Sequence, residues 1–399
     1  MFLHMKLLIT VLLFWASAYS ATFSEEPSHS KIKKIAIVES NNERLDDRVH
    51  TIPMVEHITD SALVALKAYV SPRIAINAKS DPDVFFTIME WVSLQWKHDG
   101  FNEPLANASS LDILKLAATG SKFRCIEYGK VVSDVLLSYG YISRIIGMNS
   151  KDVAYGALGM GHAASEVWSN TLQKWIYIDP QFCLYAMHNK QYLNYYDMYQ
   201  LRKQGKYNEI EFEVGDSYLK NNGLKKAEVL AEYRKFLSNY FGYLMTPYYR
   251  ESSKSLISLP LEAKEQFLTS QGLSSFPLIF TQNPRDLYFS INRTLIVFNY
   301  RELSPALSQI IQDFKLQSNE DYLNNMYLFA AKPDYTLTLQ NNMPWFDHYE
   351  YKNDKGSWVK LAGNTLDWKA VEGLNTLSVR SINTAGIPGV VTTVVVKYQ

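Results

Sequence analysis

From about residue 56 onwards, apolar residues recur three and four positions apart, and this spacing predicts helices. Asp60 is suited to cap the first helix, and Asp81 or Asp83 to cap the second. A third helix is expected to begin near Cys125 and to stop at Gly140, a residue that suits the end of a helix. The apolar positions behind these predictions are Leu63, Leu66, Val70, Phe86, Met89, Trp91, Leu94, Val131, Val132, Val135, Leu136 and Tyr139.

Beyond Gly140 the spacing changes to short runs rich in β-branched and aromatic residues, which predict strands. These runs cover residues 142–148, 161–168 and 175–179. Farther on, the apolar residues between Val229 and Leu244 form one broad face and predict a single long helix. A helical part combined with antiparallel strands is typical of the α+β fold class.

After about residue 280 the sequence is typical of a β-protein, with strands predicted at 287–289, 294–298, 335–339, 377–382 and 390–396. Turn residues separate them at 353–356 and 386–389. The run from Leu377 to Gly386 resembles the closing strands of a fibronectin type III or related immunoglobulin-like sandwich. We therefore expect a β-rich region at 276–399, with such a module at 333–399.

The first twenty residues, 1–20, have the pattern of a signal peptide. Lys6 supplies a positive flank, residues 7–15 are apolar but too few to span a membrane, and small residues follow at 16–18. Residues 21–55 are polar and of mixed charge, and they are interpreted as a linker or an N-terminal arm. Because no later run reaches the roughly 20 apolar residues of a membrane span, we expect a secreted or periplasmic protein with no membrane span in the mature chain.

The composition limits the expected partners. The chain has 399 residues, and its 40 basic side chains balance 40 acidic ones, so nucleic acid is not an expected partner. An apolar share of 47% is ample for a packed core, and the length suggests two or more domains. Two cysteines in an exported chain form a disulfide by default, so a Cys125–Cys183 bond is an alternative to any catalytic role.

The strands at 161–168 and 175–179 predict a hairpin with its turn signal at 169–171. A turn centred between residues 170 and 171 places His162 directly opposite Asp179 on one face of the sheet. Cross-strand partners have Cβ atoms about 4.5–5.5 Å apart, close enough for a carboxylate to hold an imidazole. The same register places Glu166 across from Trp175, where a structural role is expected.

Cys125 stands where the third predicted helix begins. A free cysteine titrates near about 8.5, and lowering that pKa by about two units takes about 2.7 kcal/mol. A helix N-terminus supplies only about 0.3–1 kcal/mol, rarely about 2. A protonated His162 in contact with the thiol is therefore needed to activate it, with Asp179 fixing the tautomer and orientation of the imidazole.

Three segments together resemble the core of the transglutaminase-like superfamily: a cysteine at a helix start, His-x-x-x-Glu-Val-Trp from His162, and Trp-x-x-x-Asp-Pro ending at Pro180. Residues 140–147 are similar to the family's strand after the nucleophile helix, and the match extends over residues 85–182. The resemblance implies a papain-like domain in which the nucleophile helix packs on an antiparallel sheet. It also implies that Cys125 is the nucleophile, His162 the base and Asp179 the orienting carboxylate.

The segment around Trp96 is similar to the stretch where animal transglutaminases place an indole that donates to the oxyanion. Trp96 is thus a candidate donor beside the backbone N–H of Cys125, with the amide of Gln95 as a rival and simple core packing of Trp96 as the alternative. The chain departs from the family at Arg124 and Ile126, and no acidic run has the spacing of a calcium loop. These departures leave the triad in place but argue against amine-accepting crosslinking.

Other residues have weaker patterns. His98 has no partner motif and is interpreted as structural or exposed. A metal site at His162 and Glu166 is not favoured, because that spacing suits a helix while the flanking pattern is that of a strand. One group of tyrosines predicts an amphipathic packing face, with a stacking wall for a peptide or sugar as the alternative. Its members are Tyr185, Tyr192, Tyr195, Tyr196 and Tyr199.

The sequence therefore predicts an α+β catalytic domain at 56–275, followed by one or two β-sandwich modules. The expected activity is cysteine-dependent acyl transfer through a thioester, with hydrolysis of peptide or carboxamide groups favoured and neither cofactor nor metal required. A peptide or protein is the expected substrate, with cell-wall peptide as one candidate. The alternative is a catalytically idle surface or periplasmic module for binding or adhesion on the same fold. The oligomeric state is left open.

Overall fold

The structure, a computed structural model, describes residues 33–46, 48, 60–78, 80–105, 107–153, 160–250, 253–263, 265, 277–299, 306–329 and 332–399. The predicted signal peptide at 1–20 lies outside the described residues, and so does most of the predicted arm at 21–55. Within the described part, no helix combines the length and apolarity that crossing a membrane requires.

Helices dominate the first half of the described chain. Asp60 caps the first helix as predicted. The second is capped by Ser80 rather than by Asp81 or Asp83, because the Ser80 hydroxyl accepts the Asp83 N–H and both aspartates already lie inside the first turn. The helices are α1 Ser61–Val70, α2 Asp81–Ser93, α3 Ser110–Ala118, α4 Cys125–Ser138, α5 Tyr195–Lys203, α6 Asp216–Asn222, α7 Lys226–Leu237, α8 Leu307–Asp313 and α9 Asn319–Asn324.

The strands fall into two groups along the chain. The predictions at 142–148, 161–168 and 175–179 are confirmed, and so are those at 294–298, 335–339, 377–382 and 390–396. The strands are β1 Ile35–Ser40, β2 Ser143–Asn149, β3 Gly161–Ser169, β4 Lys174–Asp179, β5 Leu184–His188, β6 Gln191–Tyr192, β7 Glu211–Val214, β8 Tyr243–Arg250, β9 Ser253–Pro260, β10 Leu278–Phe280, β11 Thr294–Asn299, β12 Asp334–Asn341, β13 Phe346–Asn353, β14 Val359–Leu361, β15 Thr365–Lys369, β16 Gly373–Asn383 and β17 Thr392–Tyr398.

The larger sheet runs in the order β10-β9-β8-β2-β3-β4-β5-β6, with β7 paired to β5. Its pairings are antiparallel except for β9 with β10. With helices beside this antiparallel sheet, the protein has the α+β class that the sequence predicts. Because β3 and β4 are central, they are buried along almost their whole length.

Helix α4 packs directly on β2 and β3, and a glycine allows the close approach. A Cβ atom on Gly129 would lie 3.2 Å from the Ala164 carbonyl oxygen of β3. The Ser165 hydroxyl donates to the Gly129 carbonyl at 3.2 Å. The Ser133 hydroxyl donates to the Ser165 hydroxyl, also at 3.2 Å. Cys125 lies one helical turn before Gly129, so its side chain is on the same face of α4 and points towards β3.

Two antiparallel sheets form the C-terminal part, β1-β17-β16-β13-β14 and β11-β12-β15. They share one apolar cluster, to which Leu337 and Leu339 contribute from the smaller sheet and Val379, Val394 and Val396 from the larger. This arrangement is a β-sandwich. It also takes in β1 and β11, which lie outside the 333–399 range predicted for the immunoglobulin-like module.

Three predicted segments have a secondary structure that differs from the expectation. Residues 35–40 of the predicted arm form β1, because pairing with β17 satisfies a row of backbone groups on an exposed edge. Helix α7 ends at Leu237, short of Leu244, because the chain turns where Gly242 packs tightly against the backbone of Lys151. Residues 287–289 are not a strand, because the backbone N–H groups of Leu287 and Tyr288 donate to the Pro284 carbonyl and the Leu287 carbonyl bonds to a buried ion pair.

That ion pair joins Arg144 of β2 to Glu166 of β3, which are cross-strand partners. Both side chains are fully buried, with Nη2 2.6 Å and Nε 3.1 Å from Oε2 of Glu166. The guanidinium lies over the rings of Trp175 and Tyr288, at 4.1 and 5.0 Å from their centroids. Such stacking suits the weakly hydrated guanidinium of arginine.

The remaining hydrogen bonds of the pair reach other parts of the chain. Nη1 of Arg144 donates to the Leu287 carbonyl at 2.6 Å. Oε1 of Glu166 accepts from the Tyr195 N–H at the start of α5, at 2.9 Å, and from the Tyr288 hydroxyl at 2.8 Å. The pair therefore ties together the sheet, α5 and the segment that leads to the sandwich.

We expect Glu166→Gln to lower the free energy of unfolding by about 3–5 kcal/mol, because it leaves Arg144 buried without a counter-charge. Denaturant titration measures the loss. Glu228→Gln is the control, since Glu228 pairs with Lys225 on the surface and such pairs contribute at most about 1 kcal/mol. Equal losses for the two variants would contradict the central role of the buried pair.

Candidate active site

Cys125 is the first residue of α4, as the sequence predicts. Arg124 forms the N-cap, and its backbone N–H donates to Glu127 at 3.1 Å, which helps to fix the start of the helix. The Arg124 side chain also pairs with Glu103. The thiol is therefore held at a helix N-terminus, where the helix dipole favours a negative charge.

The thiol of Cys125 and the imidazole of His162 are in hydrogen-bonding contact, and the thiol also accepts the backbone N–H of Ala163. Burial opposes the charged form of the thiol, but these two contacts outweigh it and lower the pKa of Cys125. In turn Asp179 and Cys125 outweigh burial and raise the pKa of His162 to about 9. A thiolate beside an imidazolium is the reactive form of such a pair.

His162 and Asp179 lie on the same face of the sheet, as expected, but their pairing register differs from the predicted one. Nε2 of His162 donates to Oδ2 of Asp179 at 2.8 Å. The ladder pairs Ser165 with Ile178, so His162 reaches Asp179 diagonally rather than from directly opposite. The shift is two residues, which preserves the face of every side chain.

The turn between β3 and β4 explains the shift. It spans residues 170–173, so its centre lies between residues 171 and 172, one position later than the centre assumed from the sequence, and Gln173 closes it with a φ of 53°. Asp81 of α2 holds the turn by accepting from the Ser169 hydroxyl at 2.9 Å and the Thr171 N–H at 3.1 Å. Glu166 accordingly lies opposite Tyr177, and the expectation that it faces Trp175 is wrong.

Asp179 is fully buried and accepts from several donors. Besides His162, its Oδ2 accepts from the Tyr233 hydroxyl at 2.8 Å and, at 3.4 Å, from that of Tyr177. Oδ1 accepts the backbone N–H of Gln181 at 3.1 Å. A buried carboxylate needs such donors to stay ionised.

The two tyrosines were not predicted as site residues. Tyr177 lies two residues before Asp179 on the same strand, and the alternation of side chains along β4 could have revealed it. Tyr233 comes from α7, and no local sequence signal connects it to Asp179.

Aromatic rings surround the imidazole. The ring centroids of Phe236, Phe182 and Tyr240 lie 5.0, 5.9 and 6.1 Å from that of His162. His98 is also near, in a β-bridge with Phe123, two residues before the nucleophile. Partial burial and the charge of His162 lower the pKa of His98. His98 is exposed, in agreement with the expectation of a structural or exposed residue, but its electrostatic interaction with His162 was not expected.

Trp96 is buried against the ring of Tyr128, with centroids 4.3 Å apart, and the Tyr128 hydroxyl donates to the Trp96 carbonyl at 2.6 Å. The indole Nε1 is buried and has no hydrogen-bond partner in the described structure. Gln95, the rival donor, gives its amide N–H to the Trp91 carbonyl at 2.7 Å. Of the two candidates, Trp96 is thus the one whose donor nitrogen has no hydrogen-bond partner in the described structure.

Cys183 is not bonded to Cys125, and both thiols are free. The Cys183 thiol is buried, with Ser93 and Gly215 as hydrogen-bonding neighbours, and burial raises its pKa to about 12.

Among the residues that the structure describes, no group of three or more His, Cys, Asp or Glu side chains is placed to hold a metal ion. Glu166 is occupied by Arg144, Tyr195 and Tyr288, away from any ligand role.

Comparisons with known proteins add little to this geometry. No family model matches the chain, and no curated protein matches it. Among solved structures, the chain is similar to a transglutaminase from red sea bream, with 10% sequence identity over 91% of this chain and 77% of that one. The TM-score of this match is 0.22.

We expect iodoacetamide at pH 6 to alkylate Cys125 at least about tenfold faster in the folded protein than in urea, where its pKa returns to about 8.5. The lowered pKa of Cys125 raises its thiolate fraction at a given pH, and the raised pKa of His162 keeps the imidazolium until about pH 9. Mass spectrometry of tryptic peptides reports both cysteines. Cys183 is the internal control and should remain unlabelled until the protein unfolds. Equal labelling rates for Cys125 in the two states would contradict the activated pair.

Proposed function

We propose that this protein is an exported cysteine-dependent acyl hydrolase with a transglutaminase-like core, acting on peptide or carboxamide bonds. The observation that supports it is the continuous contact from Cys125 through His162 to Asp179, with opposite pKa shifts on the thiol and the imidazole. Each partner comes from a different element, α4, β3 or β4, so the arrangement depends on the whole domain. The compartment follows from the signal-like N-terminal sequence.

The first half-reaction would form an acyl-enzyme. The Cys125 thiolate attacks the carbonyl carbon of a peptide or carboxamide, forming a C–S bond and an oxyanion. When the oxyanion collapses, the C–N bond breaks and the imidazolium of His162 gives its proton to the leaving amine. Asp179, hydrogen-bonded to Nε2, keeps the ring oriented with its other nitrogen towards the thiol.

In the second half-reaction, water would attack the thioester. The neutral His162 takes a proton from the water, the C–O bond forms, and the C–S bond breaks to return the thiolate and the imidazolium. An amine attacking in place of water would give transfer instead of hydrolysis. Hydrolysis is favoured because the sequence has no acidic run with the spacing of a calcium loop.

The oxyanion would be held by the backbone N–H of Cys125 and the indole N–H of Trp96. A helix N-terminus leaves its first backbone N–H groups unpaired, so the Cys125 N–H is available. The buried, unpartnered Nε1 of Trp96 supports its role, because an orphaned donor is costly unless it has a functional partner.

A catalytically idle binding or adhesion module on the same fold is the second candidate, and the β-sandwich supports it. The contact between Cys125 and His162 favours the enzyme, since a binding module does not need a lowered thiol pKa.

The decisive experiment offers a peptide library to the reduced full chain, with and without an added primary amine, and reads the products by mass spectrometry. We expect hydrolysed or deamidated products from the native chain and none from Cys125→Ala, because the thioester cannot form. Cys183→Ala is the matched control and should retain activity. Products of equal yield from Cys125→Ala would overturn the proposal, while amine adducts would redirect it to transfer.

We expect Trp96→Phe to reduce kcat by about 10²–10³ with little change in KM, because an oxyanion donor acts mainly in the transition state. Steady-state kinetics on a substrate from the library measure this. Gln95→Ala is the control, since its amide is occupied by the backbone, and it should remain within a few fold of the native chain. A Trp96→Phe variant with native kcat would show that the indole is only a core aromatic.

A further inference from the structure

Oδ2 of Asp179 accepts hydrogen bonds from both the sheet and helix α7. His162 Nε2 donates to it at 2.8 Å, and the hydroxyl of Tyr233 also donates at 2.8 Å. The hydroxyl of Tyr177 lies 2.6 Å from that of Tyr233 and 3.4 Å from the same oxygen. Since Tyr233 gives its proton to the carboxylate, the proton of Tyr177 is directed mainly to Tyr233. The result is a chain of donors, Tyr177 to Tyr233 to Asp179.

This chain meets the imidazole at one oxygen, and that sharing has an electrostatic consequence. The O–H of Tyr233 points its positive end at Oδ2, next to the N–H of His162. A positive dipole end at that position disfavours the positive charge of an imidazolium. The O–H of Tyr233 also uses part of the hydrogen-bond accepting capacity of Oδ2, which His162 would otherwise use alone. Both effects weaken the hold of Asp179 on protonated His162.

We propose that Tyr233 is a positioning residue that weakens the hydrogen bond between Asp179 and protonated His162, so that the imidazolium can release its proton to the leaving group. The inference rests on the proposed function for its purpose, but its physical content concerns only His162. An imidazolium held too tightly is a poor acid, because proton transfer is most effective when the pKa lies near the working pH. Because the pKa of His162 is already raised to about 9, a weaker hydrogen bond to Asp179 brings it closer to the working pH.

Helix α7 is built to deliver this hydroxyl. Tyr233 is fully buried, and Phe236, three residues later on the same helix, contacts the His162 ring edge-on. Tyr207 anchors α7 from outside by donating its hydroxyl to the Arg234 carbonyl at 2.8 Å. The helix thus presents a hydroxyl to the carboxylate and a ring to the imidazole from one turn.

Other titratable groups also face His162, and each can influence its titration. They come from α4, from β4, from α7 and from the segments that follow α2 and α7: Cys125, Asp179, Tyr177, Tyr233, His98 and Tyr240. Replacing only the hydroxyl of Tyr233 leaves all the others in place, so the change in His162 isolates that one group.

The test is an NMR titration of His162 in the full chain with isotope-labelled histidine, assigned with His162→Asn. We expect Tyr233→Phe to raise the pKa of His162 by about 0.5–1 unit, the size expected for one lost dipole at a neighbouring acceptor. Tyr177→Phe should move it in the same direction by less, because its hydroxyl acts through Tyr233. Tyr207→Phe is the matched control, since it removes a hydroxyl bond to α7 that does not reach Asp179.

A pKa of His162 that falls or stays unchanged in Tyr233→Phe would overturn the proposal, as would an equal rise in Tyr207→Phe. If Tyr233→Phe does not fold, Tyr177→Phe takes its place: a rise in the pKa of His162 supports the proposal, and a fall or no change overturns it. The titration needs no substrate, so it is separate from the proposed function. A native chain without hydrolytic products but with the shift in Tyr233→Phe would remove the proposed function and leave this inference standing.

Discussion

A single buried ion pair, Arg144 with Glu166, holds the architecture around the site together. Two charges removed from water are tolerated only when their hydrogen bonds are satisfied, and here the partners come from distant parts of the chain. The Leu287 carbonyl, the Tyr288 hydroxyl and the first N–H of α5 all converge on the pair. Because Arg144 and Glu166 sit opposite each other on β2 and β3, the same bonds fix the register of the strand that carries His162.

Burial of Asp179 imposes a second constraint, which couples the sheet to α7. A carboxylate without water must be supplied with donors. The sheet supplies one through His162 and another through the turn at Gln181, and the helix supplies Tyr233. The hydrogen bonds that satisfy the buried carboxylate therefore include the one that orients the imidazole. The same hydrogen bonds serve stability and chemistry here, so a change at Tyr233 of α7 acts on the thiol through three successive contacts.

Local patterns sufficed for the elements that carry the site. The helix that begins at Cys125 and the strands that carry His162 and Asp179 follow from periodicity, and the two side chains share a face because alternation fixes it. The register could not be obtained in this way, because the turn is held by Asp81, a residue about ninety positions earlier in the chain. Tyr233 could not be predicted as a site residue for the same reason. The sequence near either partner has no pattern that indicates contacts between residues so far apart in the chain.

The two cysteines illustrate how far environment, rather than residue type, decides chemistry. Burial opposes ionisation of both thiols. Cys183 packs with Ser93 and Gly215, and the carboxylates of Glu90 and Asp179 add to the effect of burial, so its pKa rises to about 12. Cys125 meets an imidazolium and a backbone N–H at a helix start, and these outweigh burial. The helix dipole alone offers too little, about 0.3–1 kcal/mol. The charge on His162 must supply most of the difference, and that charge is sustained by Asp179. The reactivity proposed for Cys125 is thus a property of three elements in contact.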